Sequence, residues 1–307
     1  MGVWGRGVVW GVLCVFGAAT ISLAVESTDQ NPQSRDRNWQ IGFTPSYSTG
    51  NFGTSTTSSF LYAPLSLRRL FKDGDITVIV PFVTSTTDGR TTIVGGSATR
   101  VDDDSKSGSS GSGSDDAGGC SGKGQSGSGK DRVCGLTTRG PGQKVTTSGL
   151  GDVIIKGRYY IVEERDAMPL MALTARVKFP TANEQLGLGT GALDYGFGVE
   201  LSKMFGESWI GFLDAGYNII GDPESLPFQN QHWYDVGAGY FMTRNLLVSV
   251  YFEEYRAIVP GFVNARDVFV AMNYTVSSAW RLSSGLTVGV SNGAPDYAVS
   301  VGASYRF

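Results

Sequence analysis

The sequence runs to 307 residues, long enough for one large domain, yet only 17% of them are charged, against the roughly 25% of ordinary soluble domains. A net charge of −3 leaves no surplus of lysine and arginine to neutralise phosphates, which argues against nucleic acid as a partner. Few charges beside 43 glycines and 11% aromatic residues call for a surface that faces something other than water.

Residues 1–24 read as a secretory signal peptide. Arg6 and the terminal amine supply positive charge, Val8 to Ala19 the apolar stretch, and Ser22-Leu23-Ala24 a small-x-small cleavage site. The rival is an N-terminal membrane helix, but the apolar part is short and no matching hydrophobic helix follows. Cys14 raises a lipoprotein alternative, against which Leu13 stands where a small residue belongs. Residues 25–38 then form a periplasmic N-terminal segment.

The longest later apolar run is Leu246 to Phe252, interrupted by Ser249 and far short of the roughly 20 residues of a spanning helix. Strands must therefore carry any membrane role. Segments in which apolar residues alternate with polar or small ones fall at 39–49, 58–68, 74–85, 149–162, 169–180, 191–204, 207–220, 231–242, 245–256, 266–277, 279–290 and 296–307. Twelve is an even number, as single-chain bacterial barrels have. Short connections such as Leu70 to Asp73, Phe205-Gly206, Thr243-Arg244 and Ser277-Ser278 alternate with longer ones, the arrangement of periplasmic turns and extracellular loops.

The expected fold is an all-β, transmembrane, antiparallel up-and-down β-barrel over 39–307. Its longest extracellular loop is 86–148, with a Gly/Ser-rich low-complexity tract at 102–130. The loop could fold inward as a plug or gate, but 102–130 offers little apolar surface for docking, so the loop is expected to be disordered outside the barrel. Cys120 and Cys134 lie within it or close by. With no His or third mature cysteine beside them, they read as a loop-closing disulfide worth about 3 kcal/mol in the chain-entropy picture.

The side-chain period assigns faces. In Pro169 to Pro180, Met171, Leu173, Ala175, Val177 and Phe179 share one face, and Ala172, Thr174, Arg176 and Lys178 the other. A cation on the lipid face at the midplane costs about 2–4 kcal/mol, so Arg176 and Lys178 are expected inside. A soluble β-sandwich also alternates, but it exposes a charged face, whereas the second face here is mostly Gly, Ser, Thr and Ala. Trp39, Trp209, Trp233, Trp280, Tyr234, Tyr297 and Tyr305 fall near strand ends, where aromatic girdles belong. The C-terminal Tyr305-Arg306-Phe307 resembles the signal read by the outer-membrane insertion machinery, making that machinery a partner through Phe307, besides outer-membrane lipid.

Gly149-Leu150-Gly151-Asp152-Val153 leading into Lys156-Gly157-Arg158-Tyr159-Tyr160, Val177-Lys178-Phe179-Pro180-Thr181, and Gly187-Leu188-Gly189-Thr190-Gly191 ahead of Asp194-Tyr195 resemble the barrel family named for a meta-pathway of phenol degradation. Gly216-Tyr217 and Gly237-Ala238-Gly239-Tyr240 extend the likeness, which covers roughly 149–256. It implies a monomeric outer-membrane barrel associated with uptake of small, often aromatic, molecules. The insert at 86–148 is atypical for the family.

Inside such a barrel Lys156, Arg158, Arg176 and Lys178 fall on the fourth and fifth segments, and Asp194, Glu200, Asp214, Asp235 and Glu253 on the sixth to ninth. Segregated in this way, they create a transverse field able to select small solutes by dipole and size. They are equally suited to pairing with one another and filling a narrow lumen. Tyr160, Tyr251 and Tyr255 face inward as aromatic contacts or as filler. The glycines of 181–190 suggest a phosphate loop, but no helix follows to receive a phosphate. The single histidine, His232, has no nucleophilic serine motif near it, so no catalytic residue, cofactor or metal is expected. The sequence reading is a passive channel. A closed barrel that makes contacts through its long extracellular loop is the alternative.

Overall fold

A computed structural model describes residues 38–101, 143–221 and 228–307. The signal-peptide region, Cys120, Cys134 and the 102–130 tract lie outside the described residues. Among those described, twelve antiparallel strands close into one barrel. They are β1 (Trp39–Phe43 and Ser46–Gly50), β2 (Ser58–Phe71), β3 (Gly74–Thr87), β4 (Val145–Leu150 and Val153–Val162), β5 (Leu170–Phe179) and β6 (Asp194–Phe205). The circuit continues with β7 (Trp209–Ile219), β8 (Gln231–Thr243), β9 (Leu246–Tyr255), β10 (Ala265–Thr275), β11 (Trp280–Gly289) and β12 (Tyr297–Arg306). Each strand pairs with its sequence neighbours, and β1 closes onto β12 with Gln40 opposite Arg306 and Thr49 opposite Tyr297. Closure leaves no sheet edge, the condition for strands to cross hydrocarbon.

Two strands are interrupted, each for a local reason. In β1 Pro45 has no N–H to give, but its carbonyl accepts from the Val301 N–H at 3.2 Å and keeps the pairing. In β4 Gly151 donates to the Pro81 carbonyl at 2.8 Å, and a Cβ there would lie 2.8 Å from Val83 and 3.0 Å from Pro81. Only glycine leaves room there for the Val83 and Pro81 side chains.

The two-residue period holds around the barrel. On β5 Leu173 and Phe179 are exposed while Ala172 and Lys178 are buried. On β12 Tyr297, Val299, Val301 and Tyr305 point out, Ala298 is buried, and Ser300 is half-buried. Large apolar side chains thus cover the outside, the reverse of a soluble sandwich, and the barrel is a transmembrane one of the outer-membrane type. Aromatic residues gather at the short-turn end: Trp209 lies 4.9 Å from Tyr240, Trp280 4.9 Å from Tyr305, and the Arg69 guanidinium sits 4.8 Å over the Trp39 ring. Trp233 is a correction to the girdle. Being the strand neighbour of outward Tyr234 it must face in, where it stacks on Tyr255 at 6.2 Å. A Cβ at Gly216 would stand 2.5 Å from the Trp233 ring, so that glycine makes its room.

Short turns and both described chain ends share one side, where the Trp39 N–H reaches the Phe307 carbonyl at 3.0 Å. The long connections share the other. After β3 the chain departs from the expectation of a loop held wholly outside. Thr91–Val94 and Ser97–Arg100 pair as a hairpin and fold into the extracellular mouth. Ile93 joins a buried cluster with Phe52, Phe60, Ile79, Val83 and Leu188, and Val94 packs with Ile220 and Ile258. The Thr92 hydroxyl donates to the Gly187 carbonyl at 2.8 Å, and Arg100 donates to the Gly53 carbonyl at 2.6 Å. The cause is local: Thr91 to Val94 is a β-prone apolar run, and Gly95-Gly96 supplies the two positive φ angles of a tight hairpin turn. The low-complexity composition begins only beyond it.

Candidate functional site

The lumen is layered from the periplasmic end upward. The lowest layer is apolar. Leu170, Ile210, Phe212, Leu247, Tyr251, Phe269 and Ala271 are buried there, with Tyr160, Met204 and Phe241 packed against them. These side chains come from seven consecutive strands, β4 to β10, and fill the interior between them. Tyr251 centres the layer, 5.2 Å from the Phe212 ring and 6.1 Å from Phe269. A Cβ at Gly237 would lie 2.3 Å from Tyr251, and one at Gly285 2.5 Å from Phe269, so the glycines of β8 and β11 are the spaces these rings occupy.

Above it the strand register aligns acids in a row. Glu200 lies opposite Asp214, Asp214 opposite Asp235, Asp235 opposite Glu253, and Glu253 opposite Asp267. Residues directly opposed in an antiparallel ladder have Cβ atoms only about 4.5–5.5 Å apart, and like charges so placed repel. Asp214, Asp235, Glu253 and Asp267 are all buried. The Asp214 Oδ1 accepts from the Leu201 N–H at 3.1 Å, and its Oδ2 has no hydrogen-bond partner.

The basic side answers only one end of this row. The Arg158 Nε lies 2.8 Å from Glu200, reaching over Thr174 of β5, while its Nη1 is 3.6 Å from Asp75. Asp75 in turn meets Arg68 at 2.6 Å. Higher up, Lys178 is wholly buried between Asp194 at 2.8 Å and Asp152 at 3.3 Å, and donates to the Thr190 hydroxyl at 2.8 Å. Lys156 and Arg176 stand opposite each other in register, both half-buried.

Of the aromatic residues expected to meet a solute, Tyr160 and Tyr251 belong to the apolar filling, and Tyr255 stands above it. His232 points outward near the extracellular edge. Arg68, Asp75, Asp152 and Asp267 were not among the expected lumen charges. The same parity that picked out Arg176 would have found Arg68 and Asp267, but both lie at the ends of their segments. Among the described residues no three His, Cys, Asp or Glu side chains converge as a metal site requires.

Between the hairpin and the barrel wall, above the acidic row, lies a cavity of about 500 Å³. Phe60, Tyr62, Ile93 and Phe262 form apolar walls, and Arg176, Tyr255 and Asp267 the deeper lining.

Comparison with known proteins places this architecture. Over 88% of its length the chain superposes on 96% of an outer membrane channel from Pseudomonas putida F1, with a TM-score of 0.56 and 12% sequence identity. It also overlays the KdgM porin (87% of this chain, 99% of that one, TM-score 0.46, 7% identity) and the Pseudomonas putida toluene transporter TodX (88% and 80%, TM-score 0.39, 11% identity). These are likenesses of fold. No curated protein sequence matches the chain. A family model does, across residues 73–307 and thus most of the barrel: the chain belongs to the family described as "Putative MetA-pathway of phenol degradation".

Proposed function

We propose that this barrel is an outer-membrane channel for passive uptake of small solutes, aromatic ones among them. The observation that carries the reading is the cavity at the extracellular end of the lumen. At about 500 Å³ it lies within the range of small-molecule sites, roughly 300–1,000 Å³, and its walls combine aromatic rings with a few polar groups. Beneath it, arginines toward β2–β5 and acids toward β6–β10 set up a transverse field that favours small polar solutes over bulky apolar ones. The selectivity role falls to Lys156, Arg158, Arg176 and Lys178 on one side and Asp194, Glu200, Asp214, Asp235 and Glu253 on the other. Insertion machinery reading Phe307, and a monomeric state, complete the proposal.

The hairpin packs into the extracellular mouth and the Tyr251 layer fills the space between β4 and β10 below, so the hairpin is the element whose removal widens the path on the extracellular side. Swelling of proteoliposomes tests this. Purified protein whose residues 89–143 are replaced by a short Gly-Ser link is expected to admit small solutes faster than the full chain. No swelling with either form contradicts a channel and favours the second reading, a closed barrel that serves as a surface anchor. The filled periplasmic layer is what speaks for that reading.

A further inference from the structure

Among the described residues the cavity is unevenly charged, since Arg100, Arg176 and Arg256 line it against a single acid, Asp267. Two of the arginines sit at the rim. Arg100 holds the hairpin to the Gly53 carbonyl and covers the Phe262 ring, and Arg256 donates to the Asn230 carbonyl at 3.4 Å. Arg176 lies deeper, laid over Gly196, where a Cβ would come within 2.7 Å of its Nε. Asp194, Tyr255 and Tyr62 lie within its electrostatic reach, and Lys156 stands opposite it in register. Asp194 is shared with Lys178 at 2.8 Å, and Lys178 also meets Asp152. Tyr62, on β2, is 4% exposed, lines the cavity, and its hydroxyl has no hydrogen-bond partner. A buried hydroxyl left in that state is costly unless a ligand answers it.

We propose that this cavity binds aromatic carboxylates. The planar Arg176 guanidinium matches a carboxylate with two parallel N–H donors, a geometry lysine lacks. The Tyr62 hydroxyl supplies a third donor. The ring lies against Phe60 and Tyr255, with Ile93 of the hairpin closing over it. The acidic row, with Asp267 at its near end, repels the same anion from below, so the cavity holds the solute at the mouth ahead of passage. The proposal deepens the channel reading and rests on it for the onward passage of the bound solute.

Calorimetric titration of the full chain in detergent with benzoate, benzyl alcohol and adipate tests the assignment. Benzoate is expected to bind saturably, and the other two at least about tenfold more weakly, because one lacks the charge and the other the ring. Arg176→Gln is expected to cost benzoate about tenfold or more, and Tyr62→Phe about threefold, a smaller loss that keeps the test available should the arginine variant misfold. Equal binding of benzoate and adipate, no binding of benzoate, or unchanged binding by both variants overturns the site. Swelling measured with arabinose on the same preparation keeps the two ideas apart. Swelling without benzoate binding contradicts the site alone, and binding by the full chain without swelling of either it or the form lacking 89–143 contradicts the channel alone.

Discussion

Arg158 meets carboxylates on two sides, Glu200 at 2.8 Å and Asp75 at 3.6 Å; Arg158 and Asp75 are buried and Glu200 is half-buried. Removing one partner of such a group leaves buried charge uncompensated, which costs about 3–5 kcal/mol. Arg158→Met is therefore expected to lower unfolding stability in detergent by that amount, and adding Glu200→Gln to recover part of it. The opposite sign is expected in the acidic row. Asp235 has an acid on each side, so Asp235→Asn relieves repulsion of about 0.2–1 kcal/mol and raises the temperature at which the folded electrophoretic form is lost. That Arg176 and Lys178 enter the lumen was legible from spacing alone, whereas Arg68, Asp75, Asp152 and Asp267 were not picked out. Which charge meets which was not legible, because Arg158 reaches Glu200 across an intervening strand and that contact depends on closure and register.

At the scale of elements, the hairpin after β3 changes the reading of the extracellular side. Its hold is apolar and local: Ile93 in the Phe52–Phe60 cluster, Val94 against Ile220 and Ile258. Ile93→Asp places a charge in that cluster without an ionic partner, and is expected to release the hairpin, seen as faster protease cleavage between Thr87 and Arg100 and faster solute swelling. Unchanged cleavage means the hairpin is not held by Ile93. The hairpin's own signals, a β-prone run and Gly95-Gly96, were present in the sequence, but the long Gly/Ser tract that follows dominated the composition of the loop. Trp233 teaches a similar lesson. Nearness to a strand end suggests a girdle, and parity overrides it, since Tyr234 already takes the outward place.

For the whole molecule, the strand number, the order of short and long connections and the outward apolar band were all readable, because lipid imposes one rule on every strand at once. The filling of the lumen was not readable. Twelve strands permit an open or a packed interior, and the choice falls to pairs such as Tyr251 with Gly237, which come together only when neighbouring strands adopt one register. Apolar packing between β4 and β10 below, a charged row at mid-height and a cavity above make a vestibule over a partly filled lumen.

The most direct test of the account is a cysteine scan along β5, in protein whose native cysteines are replaced by serine and which is reconstituted in lipid vesicles. Labels at Met171, Leu173, Ala175 and Val177 are expected to be quenched by nitroxide lipids, and labels at Ala172, Thr174, Arg176 and Lys178 to be shielded from them. Quenching at Arg176 or Lys178 equal to that at Leu173 contradicts the inward placement of the charges, and with it the barrel interior on which the channel depends.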